Sequence, residues 1–216
     1  MNSLILFAAE MEPGNSMLTY YLTACGTFFG LLFVLISVVF VTLTIMNWLA
    51  ISRNAVVPAE MLEQFHEKLV AKEYQEAYEI AKNSDSTLGK ILAVGLAKMS
   101  DSVAAAEQAM TDTAEEEIMI LEHRLGYLGT VASVAPMLGL LGTVFGMIDA
   151  FSAIAQTGVP QASEIAKGIA RALVTTQIGL LIAIPAQVLF DIFKSRLARL
   201  VLELSVQSEN VLKRLK

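Results

Sequence analysis

Two long stretches without a formal charge constrain this chain more than any other feature. Residues 125–148 and 172–190 hold 24 and 19 consecutive uncharged residues. At 1.5 Å rise per residue, each run crosses a hydrocarbon core of ~30 Å as a helix. The short connection between them makes an antiparallel membrane hairpin, and the remainder of the chain reads as what holds or extends it.

A plain lipid anchor needs only Leu, Ile and Val, whereas these spans read APMLGLLGTVFGMIDAF and ARALVTTQIGLLIAIPAQ. Pro136, Gly139, Thr143, Gly146 and Ala150 recur at three- and four-residue steps and share one helical face. Ala172, Thr176, Gly179, Ala183 and Ala186 do the same on the second span, with Pro185 beside them. Small faces let backbones approach closely, and a threonine in such a seam bonds across it, to water, or to its own helix. With a turn near Gly158–Pro160, antiparallel residues share a depth when their numbers sum to about 319. Thr143 then faces Thr176, Asp149 lies near Arg171, and Pro136 lies near Pro185. The expectation is a mid-membrane hydroxyl layer, an ionic layer nearer the turn, and a layer where each helix loses a hydrogen bond to proline.

The composition agrees with a polytopic membrane protein. Hydrophobic residues make up 55% of the chain, the mean hydropathy is +0.60, and the charges gather in a few segments. The net charge of −6 comes without a basic stripe, which argues against nucleic-acid binding. Cys25, the one cysteine, has no intrachain disulfide partner.

Before the hairpin, residues 1–15 lack the basic segment of a secretory signal and are expected to stay on the mature protein. Residues 1–23 read as an N-terminus on the outer side, periplasmic in a bacterial inner membrane, with an interfacial stub carrying Tyr20 and Tyr21. No charge occurs from Pro13 to Ser52, so a first span is expected over 24–51, facing lipid and ending at an interfacial Trp48. Spans two and three are expected over 128–155 and 169–193, joined by a turn at 156–168 on the same outer side as the N-terminus. Lys and Arg concentrate in residues 52–127 and after Asp191. Those segments are expected in the cytoplasm with the N-terminus outside.

The 52–127 segment reads as a small helical domain, and 194–216 as a cytoplasmic C-terminal helix. Pro58 suits a first helical turn, and Met61, Leu62, Phe65 and Leu69 supply an apolar face. A second helix is expected over 74–82. Ser86 or Thr87 caps a third running to about Met99, and Asp101 or Ser102 caps a fourth. With no Pro or Gly from Val103 to Leu125, that fourth helix is expected to continue into the second span as one rod. His66, His123 and Glu115 to Glu117 lie among polar residues and read as solvated surface. No metal motif, phosphate loop, nucleophile elbow or paired catalytic carboxylates occur, so neither a cofactor nor an enzyme is expected.

The hairpin pattern APMLGLLGTVFGMIDAF … GIARALVTTQIGLLIAIPA resembles the signature of the MotA/TolQ/ExbB proton channel family, nearest its ExbB/TolQ branch. Weaker similarity runs through KEYQEAYEIAKNSDSTLGKILAVGLAKM. The resemblance implies an all-α, three-span protein whose long second and third helices extend into a cytoplasmic bundle and which forms a pentameric ring in the bacterial inner membrane. It implies a partner like ExbD or TolR, a pair of single-span helices in the pore, and possible coupling to a TonB- or TolA-like transducer. Thr143 and Thr176, with Thr175 beside them, match pore-facing hydroxyl positions. The proton-motive force would then drive an envelope process such as TonB-dependent import.

One position departs from the pattern. The ExbB/TolQ branch carries a glutamate in GIAEAL, where this chain has Arg171 in GIARAL. An arginine stays charged at any relevant pH and relays no proton. Two readings stand for Asp149 and Arg171: a structural ion pair, within a chain or between neighbours, or separate snorkelling with Arg171 as a gate at the pore entrance. Neither span has a carboxylate, His or Lys in its middle, so the proton-carrying group is expected from the partner. The alternative function is a membrane scaffold or adaptor that conducts no ion.

Overall fold

The computed structural model describes residues 26–157 and 162–215. The expected N-terminal stub and the centre of the turn lie outside the described residues. Seven helices and no strand occur among those described: α1 Thr27–Ala50, α2 Arg53–Val56, α3 Ala59–Val70, α4 Tyr74–Lys82, α5 Thr87–Lys98, α6 Val103–Thr157 and α7 Ala162–Leu215. Three are long and apolar enough to cross a membrane, over Thr27–Ala50, Val103–Ser152 and Gly168–Arg214. The chain is a multi-pass membrane protein.

Two compact units are present. One contains the described residues up to Thr42 together with Gly129–Val188; the other contains Leu43–Leu128 and Leu189 onward. In the first, α1 is not purely lipid-facing. Phe29 and Phe33 are buried in one cluster with Ala135, Val174, Ile182 and Ala183, and Leu32, Ile36 and Phe40 pack against it. The four- and three-residue spacing of 29, 33, 36 and 40 puts this ridge on one face, and Leu31, Leu35 and Val38 on the rest of the helix stay exposed.

In the second unit, α3 buries Met61, Phe65 and Leu69. Pro58 precedes that helix as its N-cap instead of entering its first turn. α3 stops in a left-handed turn at Lys72, φ 62°, where the Glu73 amide donates to the Lys68 carbonyl at 3.0 Å, closing the last turn as a Schellman motif. Ser86 caps α5, its Oγ accepting from the Gly89 amide at 3.0 Å. Ser102 does the same for α6, accepting from Ala105 at 3.0 Å. The four-residue α2 was not anticipated from the sequence. Ser52 caps it, and Arg53 within it pairs with Glu203 at 2.7 Å. Trp48 is exposed, meets Phe193 edge-on at 6.2 Å and lies under the Arg196 guanidinium at 5.9 Å.

α6 runs unbroken from the polar 103–124 stretch through the apolar run, and α7 likewise continues past Phe193. Pro136 and Pro185 sit inside these helices, leaving the carbonyls of Ala132 and Leu181 without their usual amide donors. Helix also occupies both ends of the 156–168 stretch expected to be turn. Before Gly168 the breakers there are Gly158 and Pro160 alone, and the Ala-, Gln- and Glu-containing sequence around them favours helix.

Candidate functional site

Within the first unit the hairpin is held by small residues set against one another. A Cβ added at Gly139 would fall 3.0 Å from the Thr176 Cα, at Gly142 2.6 Å from the Thr175 Cβ, and at Gly179 2.7 Å from the Ala135 carbonyl oxygen. Backbone and side chain occupy the space any larger residue would need, which is close approach of the small-residue type. Gly146 meets Ala172 in the same way, and Ala150, Ala172, Ala183 and Ala186 are buried. Pro136 is half-buried, but Pro185 is exposed. Pro185 is therefore not part of the seam: Ala183 and Ala186, two residues before and one after it, take the inward direction. Gly142 was the residue missed. It belongs with Gly139 and Gly146 in a three- and four-residue series that the stripe through Thr143 bypassed.

The three threonines occupy different environments. Thr143 is half-buried and donates to the Leu140 carbonyl of its own helix at 2.6 Å. Thr176, also half-buried, donates across the hairpin to the Gly139 carbonyl at 3.2 Å. Thr175 is 2% exposed; its hydroxyl donates to Ala172 O at 2.7 Å with Gly139 O at 3.4 Å. Thr176 thus sits against Gly139, one turn before Thr143, and Thr175 fills the place beside Gly142. The expected pairing of Thr143 with Thr176 is therefore off by about one turn: the observed contacts set Thr176 level with Gly139. Arranged this way, Thr143 and Thr176 stay half-buried about one turn apart in depth, whereas Thr175 locks the interior of the hairpin.

Asp149 and Arg171 are both exposed and border one cavity. No ion pair joins them within the chain; those among the described residues lie in the second unit. The ionic layer expected inside a single hairpin is absent because both side chains turn to the cavity instead of to each other.

Two residues read as solvated surface differ from that reading. Glu117 is tied to Lys90 at 2.8 Å. The Nε2 of His66 is buried without a hydrogen-bond partner, and burial, with the Arg214 charge adding to it, lowers its pKa. Among the described residues no three His, Cys, Asp or Glu side chains gather to hold a metal ion.

Residues 83–206, more than half of the chain, match the model of the MotA/TolQ/ExbB proton channel family. Among curated proteins, the chain is 48% identical over 68 residues to the biopolymer transport protein ExbB of Salmonella typhimurium, covering 32% of this chain and 28% of that one. It is 44% identical over 84 residues to the Tol-Pal system protein TolQ of Haemophilus influenzae, covering 39% and 37%. Against TolQ of Pseudomonas aeruginosa it is 38% identical over 101 residues, covering 47% and 42%. The chain therefore spans less than half the length of each of these relatives.

Proposed function

From the premise that this chain belongs to the MotA/TolQ/ExbB proton channel family, we propose that it is a ring-forming subunit of a proton-driven motor in the bacterial inner membrane. Five copies surround a pore that holds a pair of ExbD/TolR-like single-span helices. Proton flow through hairpin and partner moves one against the other, and a TonB- or TolA-like transducer carries the work to the envelope. The N-terminus lies in the periplasm and the helical domain in the cytoplasm, following the distribution of Lys and Arg.

The observation that carries this reading is the hydroxyl layer. Thr143 and Thr176 are half-buried at neighbouring turns, within the charge-free runs of two helices. Hydroxyls there pass or orient a proton through water, as donors and acceptors, but hold no charge. A scaffold needs only the glycine seam and has no use for half-buried threonines beside it.

The test is the double variant Thr143→Val, Thr176→Val, reconstituted with its partner in liposomes under a pH gradient. Shape is kept and the hydroxyls are lost. Partner-dependent proton uptake is expected to fall at least about tenfold, the scale of one to two hydrogen bonds to a charged species, with the assembly unchanged in size. Wild-type flux in the double variant would leave the threonines a packing role and favour the scaffold.

A further inference from the structure

A cavity of about 470 Å³ opens between the first turn of α1 and the part of the hairpin nearest the turn. This volume falls in the ~300–1,000 Å³ range of small-molecule sites. Phe28, Phe29, Phe145 and Gly146 give it apolar walls, and Asp149 and Arg171 are its charged members. Phe28 and Phe145 are exposed, as is Leu31, three residues on from Phe28 along α1.

The two charges are not neutralised by one another within the chain. In or near a bilayer, each is costly unless an opposite charge reaches it. Arginine presents a planar fork of donors suited to a phosphate, and a carboxylate accepts from an ammonium. A single molecule that offers phosphate, ammonium and an apolar body meets all three features of the cavity.

We propose that this cavity binds a phospholipid with an ethanolamine headgroup. Its phosphate lies on Arg171, its ammonium on Asp149, and its acyl chains run over Phe28, Phe145 and Leu31. A neighbouring copy of the chain is the competing occupant, since it carries both charges. The faces a copy could offer from its hairpin expose mainly large apolar side chains, such as Met137, Leu140, Ile148 and Leu181, which answer neither Asp149 nor Arg171. The lipid role explains an arginine that relays no proton, and it stands apart from conduction because occupancy requires no ion flow.

The full chain is reconstituted in nanodiscs of equal phosphatidylethanolamine and phosphatidylglycerol, extracted in mild detergent, and its retained lipid counted by native mass spectrometry. Wild type is expected to retain the ethanolamine lipid about tenfold over the glycerol lipid, the scale of a charge-assisted hydrogen bond. Arg171→Gln is expected to lose both lipids about tenfold, and Arg171→Lys to recover part of that loss. Asp149→Asn keeps phospholipid but loses the headgroup preference. Unchanged retention in Arg171→Gln and Asp149→Asn overturns the proposal. So does a charge-exchanged chain, Asp149→Arg with Arg171→Asp, that keeps wild-type assembly and carries no lipid, because it gives the cavity to a neighbouring copy. Should variants fail to fold, photoreactive phosphatidylethanolamine on the wild type decides the matter: labelling at 145–149 and 171 supports the site, and labelling confined elsewhere overturns it.

Discussion

His66 shows how a single residue escapes the sequence. It lies three residues before Leu69 and four after Leu62, at the edge of the apolar stripe of α3, where pattern alone does not say whether the ring turns in or out. The structure turns it in far enough to bury Nε2 without a partner. Burial first, and the Arg214 charge second, hold its pKa below the ordinary 6.5. The folded state therefore takes up a proton less readily than the unfolded one, and stability rises with pH across that interval. The contribution is complete above the unfolded value of about 6.5 and is lost as pH falls from there toward the lowered folded value. Thermal unfolding of the full chain in detergent is expected to drop between pH 7.5 and 5.5, and His66→Phe is expected to flatten that drop; an identical slope in both proteins would place His66 outside the titration. Thr175 teaches the same lesson. Adjacent threonines on a helix differ by about 100° in direction, so one hydroxyl fills the seam beside Gly142 while the other keeps partial exposure.

Elements were far more legible than side-chain directions. The run without Pro or Gly after Val103 made one helix through the membrane boundary readable, because nothing in it interrupts the backbone hydrogen bonds. Ser86 and Ser102 were readable as caps because each stands before an apolar-periodic stretch and offers an oxygen to an otherwise unpaired amide. What lay hidden was short or dependent on a partner, such as α2 and its Arg53–Glu203 bridge, formed across 150 residues of sequence. The seam gives a direct test of how helices α6 and α7 hold together. A methyl at Gly179 meets a backbone carbonyl at 2.7 Å, while one at Gly126 meets nothing within 4 Å. Backbone cannot yield as a flexible side chain does, so Gly179→Ala is expected to destabilise the chain by ~1–3 kcal/mol, the cost of overpacking. Gly126→Ala is expected to stabilise it by ~0.5–1 kcal/mol through reduced backbone freedom in the unfolded state. Unfolding in mixed micelles by denaturant reads both. Equal and small changes would mean that the hairpin separates at that level without cost.

At the scale of the whole molecule, the placement of titratable groups decides what the chain can do alone. Asp, Glu, His and Lys are absent from residues 125–148 and 172–190, and Asp149 and Arg171 flank those runs on the side of the connection. Threonine hydroxyls neither gain nor lose a proton near neutral pH, and arginine stays cationic, so no group of this chain stores a proton in mid-membrane. Stepwise transport under a proton-motive force needs such a store, because a site that never changes charge cannot couple protonation to movement. In the proposed motor the store must therefore come from another chain, which is a stronger demand than partnership by family likeness. The chain reconstituted alone is accordingly expected to pass protons no faster than empty liposomes under the same gradient. Adding a single-span partner with a carboxylate at the level of Thr143 and Thr176 is expected to start the flux, and changing that carboxylate to its amide to stop it with the complex intact. Proton flux through the chain alone, abolished by the threonine-to-valine pair, would instead make this protein a self-sufficient channel whose water path needs no titrating group.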